Sequence, residues 1–407
     1  MRRRRRPSIH PFPKNTVKLF PAAAVVIALN CPLIAQNAPP TATPAEVAPV
    51  ATPTAVTTVS PTPAAVPVVP AVSATEAATP SPGATVAPAG TPVATTGTEA
   101  VPAASAAPAA TAARAEPVSA QEVVTRLQIF LDQQNFGPGI IDGRWGEFTG
   151  KALVHYARAH NLQVTPAIYG ELPLDTVYPI YTEYTITPAD EKTVGDVPTK
   201  PPEEAKMKRM PYPSVLDFLE ERYHCSPDFI QKLNPRMKLD ALKAGDVVRV
   251  PNVAPFKLED VKEHKLPDRP ELALRSVYVS VVDKMLDVYD GPRLIAAFPI
   301  TPGSKRLPAP PGVWTIIGMF TLPEFRWDEA MLEHGHRSAN FFEIPPGPKN
   351  PVGVLWCGLN RIGIGVHGTN NPETIGRAAS HGCIRLANWD AIRFSSMVTT
   401  GNPVTIE

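Results

Sequence analysis

The chain has 407 residues, 50 of them proline, and a formal net charge of +1. That length allows two or three folded units, but so much proline excludes one compact globule over the whole chain. The charge balance gives no electrostatic case for nucleic acid as a partner, and the one basic run, Arg2 to Arg6, has another explanation.

The basic start MRRRRRPSIHPFPKN runs into a short apolar stretch that ends in small residues near Ala35 and Ala38. This is the architecture of an export signal over residues 1–35, and its removal is the first reading. Retention as a membrane anchor is the second; Lys18, Pro21, Asn30 and Pro32 interrupt the apolar run and make it a poor span. Lipidation at Cys31 is the third. Export would place the protein in the periplasm or cell wall. Residues 36–118 consist almost entirely of Ala, Pro, Thr, Val and Ser, with no helical or alternating period. Such a segment cannot bury enough apolar surface to offset its ordering entropy and reads as a disordered, extended linker.

Order is expected from Ser119. Ser119 and Glu122 form a capping-box pattern, and Val123, Leu127, Phe130 and Leu131 keep helical spacing. Glycines 137, 139, 143 and 146 break the chain before a second helix, FTGKALVHYARAHNL. The result is a small helical unit over 119–165. Between 182 and 254, TEYTIT reads as a strand, PSVLDFLEERY and SPDFIQKLNP as helices, and KAGDVVRVPN as a closing turn and strand. A charged linker, 255–270, leads into a β-rich region over 271–407. There SVYVSVVDKMLDVYD reads as a hairpin turning near Asp283-Lys284. RLIAAFPIT, PPGVWTIIGMF, LWCGLNRIGIGVHG and NPVTIE supply further strands, and only NWDAIRFSSMVTT reads as helical, with Asn388 as its N-cap. The fold class expected is a mainly β domain, a sandwich or open barrel, preceded by small α-helical and βααβ modules and the disordered linker.

Chemistry concentrates between Ile362 and Asp390. His367 ends an apolar strand, and Cys383 follows sixteen residues later behind Ser380, His381 and Gly382. A thiol needs a base or a cation beside it to act as a nucleophile at neutral pH, and a histidine can be that base. The glycine-rich loop between them allows His367 to approach Cys383. The N–H groups of Gly382 and Cys383 would form an oxyanion hole, and Arg385 would pair with a carboxylate of the substrate or with Asp390. A zinc site of His367, His381 and Cys383 is the competing reading; it lacks a fourth ligand at short paired spacing. Cys357, in the apolar run VLWCGLN, reads as packing. With Cys225, it leaves three cysteines beyond the signal segment, which cannot all pair.

Three resemblances add to this. Leu127 to Leu162 resembles the peptidoglycan-binding repeat, through Asn135-Phe136, Gly139, Asp142-Gly143, Gly146, Thr149 and Ala152-Leu153. Residues 182–254 resemble a LysM domain, a βααβ fold that binds N-acetylglucosamine polymers, through Leu233-Asn234-Pro235, Gly245-Asp246 and Val250-Pro251-Asn252. The region from Arg275 to Glu407 resembles the catalytic domain of the L,D-transpeptidases, the YkuD family. His367-Gly368-Thr369, Ser380 to Arg385, Leu386, Asn388 and Asp390 match its signature, as do PPGPKNPVGVLW at 345–356 and APPGVWTI at 309–316.

The third resemblance implies cysteine acyl transfer from a tetrapeptide stem of peptidoglycan to an acceptor amine, without metal or cofactor. Cys383 would be the nucleophile, His367 the base and Gly368, through its carbonyl, the group that orients the imidazole. Ser380, His381, Gly382 and Arg385 would shape or support the site. The partners implied are the stem peptides and glycan strands of peptidoglycan, with envelope proteins as alternative acceptors. Water as acceptor would make the chain an L,D-carboxypeptidase, a protein lysine would make it a wall-anchoring ligase, and loss of catalysis would leave a wall-binding scaffold.

Overall fold

The computed structural model describes residues 119–303, 307–377 and 382–407. The expected export signal and linker, with Cys31, lie outside the described residues, and so do Ser380 and His381.

Helix α1 (Ala120–Gln133) starts at Ser119, whose hydroxyl accepts from Glu122 N while the Glu122 carboxylate accepts from Ser119 N. Its apolar stripe, Leu127, Phe130 and Leu131, is buried; each such side chain contributes roughly 1.5–3 kcal/mol. Helix α2 (Glu147–Ala159) faces it with Ala152, Leu153 and Tyr156, and the Phe130 and Tyr156 rings meet edge to face at 5.1 Å. The loop between them is held from inside by buried Gln128: Oε1 accepts from Gly143 N, and Nε2 donates to Asp142 and Thr149.

A single helical turn, α3 (Ile168–Glu171), leads to strand β1 (Tyr181–Thr185), which pairs antiparallel with β2 (Val247–Pro251). Between these strands lie the short α4 (Pro188–Glu191) and α5 (Pro201–Glu204), then α6 (Val215–Arg222) and α7 (Pro227–Leu233). Ser214 caps α6, Ser226 caps α7, and Pro227 takes the first turn of α7, where its missing N–H costs nothing. Among the described residues no helix is long and apolar enough to cross a membrane.

The remaining strands are β3 (His264–Lys265), β4 (Arg275–Ser280), β5 (Met285–Asp290), β6 (Arg293–Pro299), β7 (Thr301–Pro302), β8 (Gly312–Thr321), β9 (Phe325–Trp327), β10 (Phe342–Ile344), β11 (Leu355–Leu359), β12 (Gly365–His367), β13 (Ile384–Arg385) and β14 (Pro403–Ile406). Ten of them form one sheet in the order β6-β5-β4-β14-β8-β11-β12-β13-β7, with β3 added beside β8. Its two end strands, β6 and β7, follow each other in the chain with only Ile300 between them. The sheet therefore curls until its edges nearly meet, a mostly β and nearly closed architecture that leaves little unpaired edge. Val277, Phe298, Ile316, Cys357, Val366, Ile384 and Phe394 fill its interior. Cys357 is there as packing, and among the described residues Cys225, Cys357 and Cys383 form no disulfide.

The hairpin turn falls at Lys284, which has a positive φ. Two local expectations are corrected. Helix α9 (Asn388–Met397) is capped by Ala387, not Asn388, because the Asn388 amide is drawn sideways into the protein. A second helix, α8 (Glu329–His334), lies between β9 and β10, where no helix was expected.

From 119 onward the described residues form one compact unit. The helical regions do not hang from the β region on a free linker. Leu127, Phe130, Phe218, Leu219 and Tyr223 share one apolar cluster with Met285, Leu294 and Ala297 of β5 and β6. Backbone bonds knit the same junction: Gly137 N donates to Ala297 O, and Ala297 N to Asn135 O. The charged segment 255–270 is likewise tied down. Phe256 is buried, and Arg269 donates to the carbonyls of Ser395, Ser396 and Val398 at the end of α9.

Candidate active site

Strand β12 reaches His367 and pairs in parallel with β13, Val366 opposite Ile384 and His367 opposite Arg385. Side chains alternate along a strand, so Val366 and Ile384 enter the core while His367, Arg385 and Cys383 share the opposite face. The fifteen residues between His367 and Cys383 thus return the cysteine beside the strand that carries the histidine. Its middle, Pro372–Thr374, is a single 3-10 turn started by Asn371. Gly382 has φ +103°, a conformation that side-chain-bearing residues rarely adopt, and sets the chain's entry to Cys383.

His367 is buried, and its Nδ1 lies 2.7 Å from Gly368 O. A carbonyl only accepts, so Nδ1 carries the hydrogen and Nε2 is left as the basic atom. Half-buried Cys383 donates its thiol to Gly363 O at 3.2 Å. Burial pushes the thiol up to about 11, against the pull of the Gly365 N–H and the charge of Arg385. Burial also pushes the His367 imidazole down to about 4, opposed by its bond to Gly368. Both groups therefore rest neutral at pH 7, thiol and imidazole rather than thiolate and imidazolium. In such a pair the proton leaves sulfur as a new bond to sulfur forms, which is general-base catalysis.

Trp356 closes one side. It sits opposite His367 across β11 and β12, and the two rings stack at 5.7 Å with 23° between their planes. The indole lies over Gly358 and Gly365; a Cβ on Gly365 would stand 3.0 Å from Trp356 Cζ2. These glycines let an aromatic plate lie flat on the sheet next to the cysteine. Met331 of α8 presses on Gly363, whose carbonyl holds the thiol, so the β9–α8–β10 insertion covers that edge.

Asp390 does not meet Arg385. It is buried beside Arg393, with 3.5 Å between charged atoms, and burial pushes its carboxyl up to about 7. Asn388 turns inward instead of capping: its Oδ1 accepts from Val354 N at 3.2 Å and Thr369 N at 3.1 Å. Gly353, in the left-handed region, and Gly368 both lie so close that a Cβ on either would strike Asn388 Oδ1. Trp356 and the inward role of Asn388 were missed in the sequence. Gly353 closes the Pro-Lys-Asn-Pro-Val-Gly run and was a visible sign that backbone and side chain meet closely there.

A separate cavity of about 280 Å³ lies where α2, α7 and the 372–377 loop meet, lined by Arg144, Phe148, Asp228, Lys232, Glu373 and Arg377 among others.

Comparison with known proteins gives the following likenesses. Bacillus subtilis YkuD, assigned as an L,D-transpeptidase, is 29% identical over 192 residues, 47% of this chain and 93% of that protein. Its Bacillus licheniformis counterpart is 25% identical over the same shares. An Enterococcus faecium L,D-transpeptidase, solved as a mutant, is 20% identical with a TM-score of 0.26, and covers 35% of this chain. The chain spans half the length of that Enterococcus chain, 50%. Residues 275–406, which hold His367 and Cys383, match the family model of the YkuD L,D-transpeptidase catalytic domain.

Proposed function

We propose that the chain is an exported L,D-transpeptidase that remodels peptidoglycan by cysteine acyl transfer. The observation that carries the reading is the pairing of β12 with β13, which sets His367, oriented by its bond to Gly368 O, on one face with Cys383.

The chemistry follows from the two neutral groups. Cys383 Sγ bonds to the carbonyl carbon at the third residue of a tetrapeptide stem as His367 Nε2 takes the thiol proton. The N–H groups of Gly382 and Cys383 steady the oxyanion, and Arg385 adds positive charge beside the sulfur. Collapse breaks the bond to the terminal residue, which leaves as a free amine with the proton from His367. The thioester then yields to an acceptor amine, His367 again takes and returns the proton, and Cys383 is released as the thiol. No metal or cofactor takes part in this scheme. Residues 119–254 hold glycan strands, and the first 35 residues direct the protein to the periplasm or wall.

The test is incubation with purified tetrapeptide muropeptides, products followed by mass spectrometry, beside Cys383→Ala. Cross-linked dimers that vanish in Cys383→Ala are expected. Trimmed tripeptides alone would move the reading to a carboxypeptidase, and no product would remove it. Retention of Cys383→Ala on insoluble peptidoglycan in the same samples measures the glycan-binding part.

A further inference from the structure

We propose that Glu221, on helix α6 and outside the 275–406 region, is a positioning residue for His367 and acts through Asn388.

The connection is a chain of hydrogen bonds between buried groups. Glu221 Oε2 accepts from Asn388 Nδ2 at 3.1 Å, and Glu221 Oε1 accepts from the Tyr212 hydroxyl at 3.0 Å. Asn388 Nδ2 also reaches Pro348 O, at 3.3 Å. With its amide nitrogen so engaged, Asn388 has only Oδ1 to offer the other way, and Oδ1 accepts from Thr369 N and Val354 N. Thr369 follows Gly368, whose carbonyl fixes the His367 tautomer. Glu221 thus anchors the far end of the Asn388 amide, whose oxygen holds the His367-Gly368-Thr369 backbone.

Without the carboxyl group, Asn388 Nδ2 keeps only the Pro348 carbonyl at the edge of bonding distance, and the amide is free to tilt. A tilt would lengthen the bonds that Oδ1 accepts from the N–H groups of Thr369 and Val354. The backbone that orients the imidazole would have to give way. Gly353 and Gly368 leave space for the oxygen of Asn388 and none for a detour. The helix that carries Glu221 is capped by Ser214 at its start and buries Phe218 and Leu219 in the core it shares with β5 and β6. Its carboxyl group is therefore a fixed reference for the loop.

The proposal rests on His367 as the base, so the test separates the two. Cys383-dependent release of nitrophenolate from 4-nitrophenyl acetate needs the thiol and its base but no peptidoglycan. Glu221→Met keeps the volume and removes the acceptor. Glu221→Gln keeps an acceptor for Asn388 and lets the Tyr212 hydroxyl accept instead of donate. Release is expected to fall about tenfold in Glu221→Met, the scale of a misplaced catalytic group. It should stay near the parent rate in Glu221→Gln and in Tyr212→Phe. Asn388→Ser should fall as far as Glu221→Met, and the double variant no further.

Equal rates in Glu221→Met and Glu221→Gln would overturn the proposal. A parent-like rate in Asn388→Ser would do so by itself, whether or not Glu221→Met folds. A parent with no Cys383-dependent release would remove the acyl-transfer reading and this one together, whereas an active parent indifferent to Glu221 removes this one alone.

Discussion

The seam between the helical regions and the β region contains two sets of buried carboxylates, and they are handled in opposite ways. At one end Asp132 of α1, with no exposed surface, receives two bonds from Arg393, at 2.9 and 2.8 Å, and faces His224 Nδ1 at 3.1 Å. Burial works to protonate it, but Arg393 and His224 overcome burial and hold it below the usual carboxylate range. At the other end Glu220 and Glu221 have no such cation in contact. Burial dominates, and their carboxyls are pushed up to about 8 and about 7, with Lys349 opposing at longer range. One end of the seam is an ion pair that must stay whole; the other is a pair of acids that prefer to keep their protons.

The contrast is broken most severely at the charged end. Asp132→Ala strips half-buried Arg393 and buried His224 of the carboxylate they share and leaves Arg393 only Asp390, and loss of about 3–5 kcal/mol in denaturant unfolding is expected, the range for half-removed buried pairs. An effect below about 1 kcal/mol would show that Arg393 escapes to solvent. The neutral end gives the next effect, with reversed sign. Glu220 Oε1 is buried with no hydrogen-bond partner. Glu220→Leu is therefore expected to stabilise the protein by about 1–3 kcal/mol at pH 8.

The pH dependence follows from the same groups. A folded-state pKa raised above the ordinary 4.5 means that the folded protein holds the proton more tightly. The contribution of Glu220 and Glu221 is thus complete below about pH 4.5 and lost as the pH climbs through 7 to 8. Asp132 acts in the other direction, its contribution fading only below its ordinary 3.8. Melting temperature should decline from pH 5 to pH 8, and Glu220→Leu should flatten the decline; a slope unchanged by that variant would assign it elsewhere. The smallest effect sharpens the boundary between the two ends. Asp390 sits at the charged end yet is pushed up to about 7, because burial and the nearby Asp132 charge outweigh the pull of Arg393. Asp390→Asn should change stability at pH 6 by less than about 1 kcal/mol, measured by the same denaturant titration.

How much of this could be read from sequence depended on how local the cause was. His367 and Cys383 stood out as candidates because their flanking glycines and polar neighbours are unlike packing residues, and the structure brings their strands side by side. The capping box at Ser119 and the turn at Lys284 depend on neighbours within a few positions. Glu221 was not legible. In Leu-Glu-Glu-Arg-Tyr it looks like the solvated side of a helix, and only the approach of Tyr212 and Asn388 from far along the chain makes it interior. Asn388 was assigned the wrong task because an asparagine at a helix start serves equally as a cap or as a bridge. The shared core left one trace in the sequence. Leu-Ile-Ala-Ala-Phe-Pro-Ile is continuously apolar, the pattern of a strand covered on both faces, and β6 is covered by the interior of the sheet on one side and the helical regions on the other.

The resting state of the cysteine has a consequence for durability. Peroxides and other oxidants attack the thiolate, and a thiol that keeps its proton at neutral pH reacts with them slowly. Cys383, pointed at the Gly363 carbonyl beneath Met331, is stored in its less reactive form. Under the acyl-transfer scheme proposed above, readiness would be deferred to the moment of acylation. A thiol kept this way can persist in surroundings that would consume a permanently ionised one.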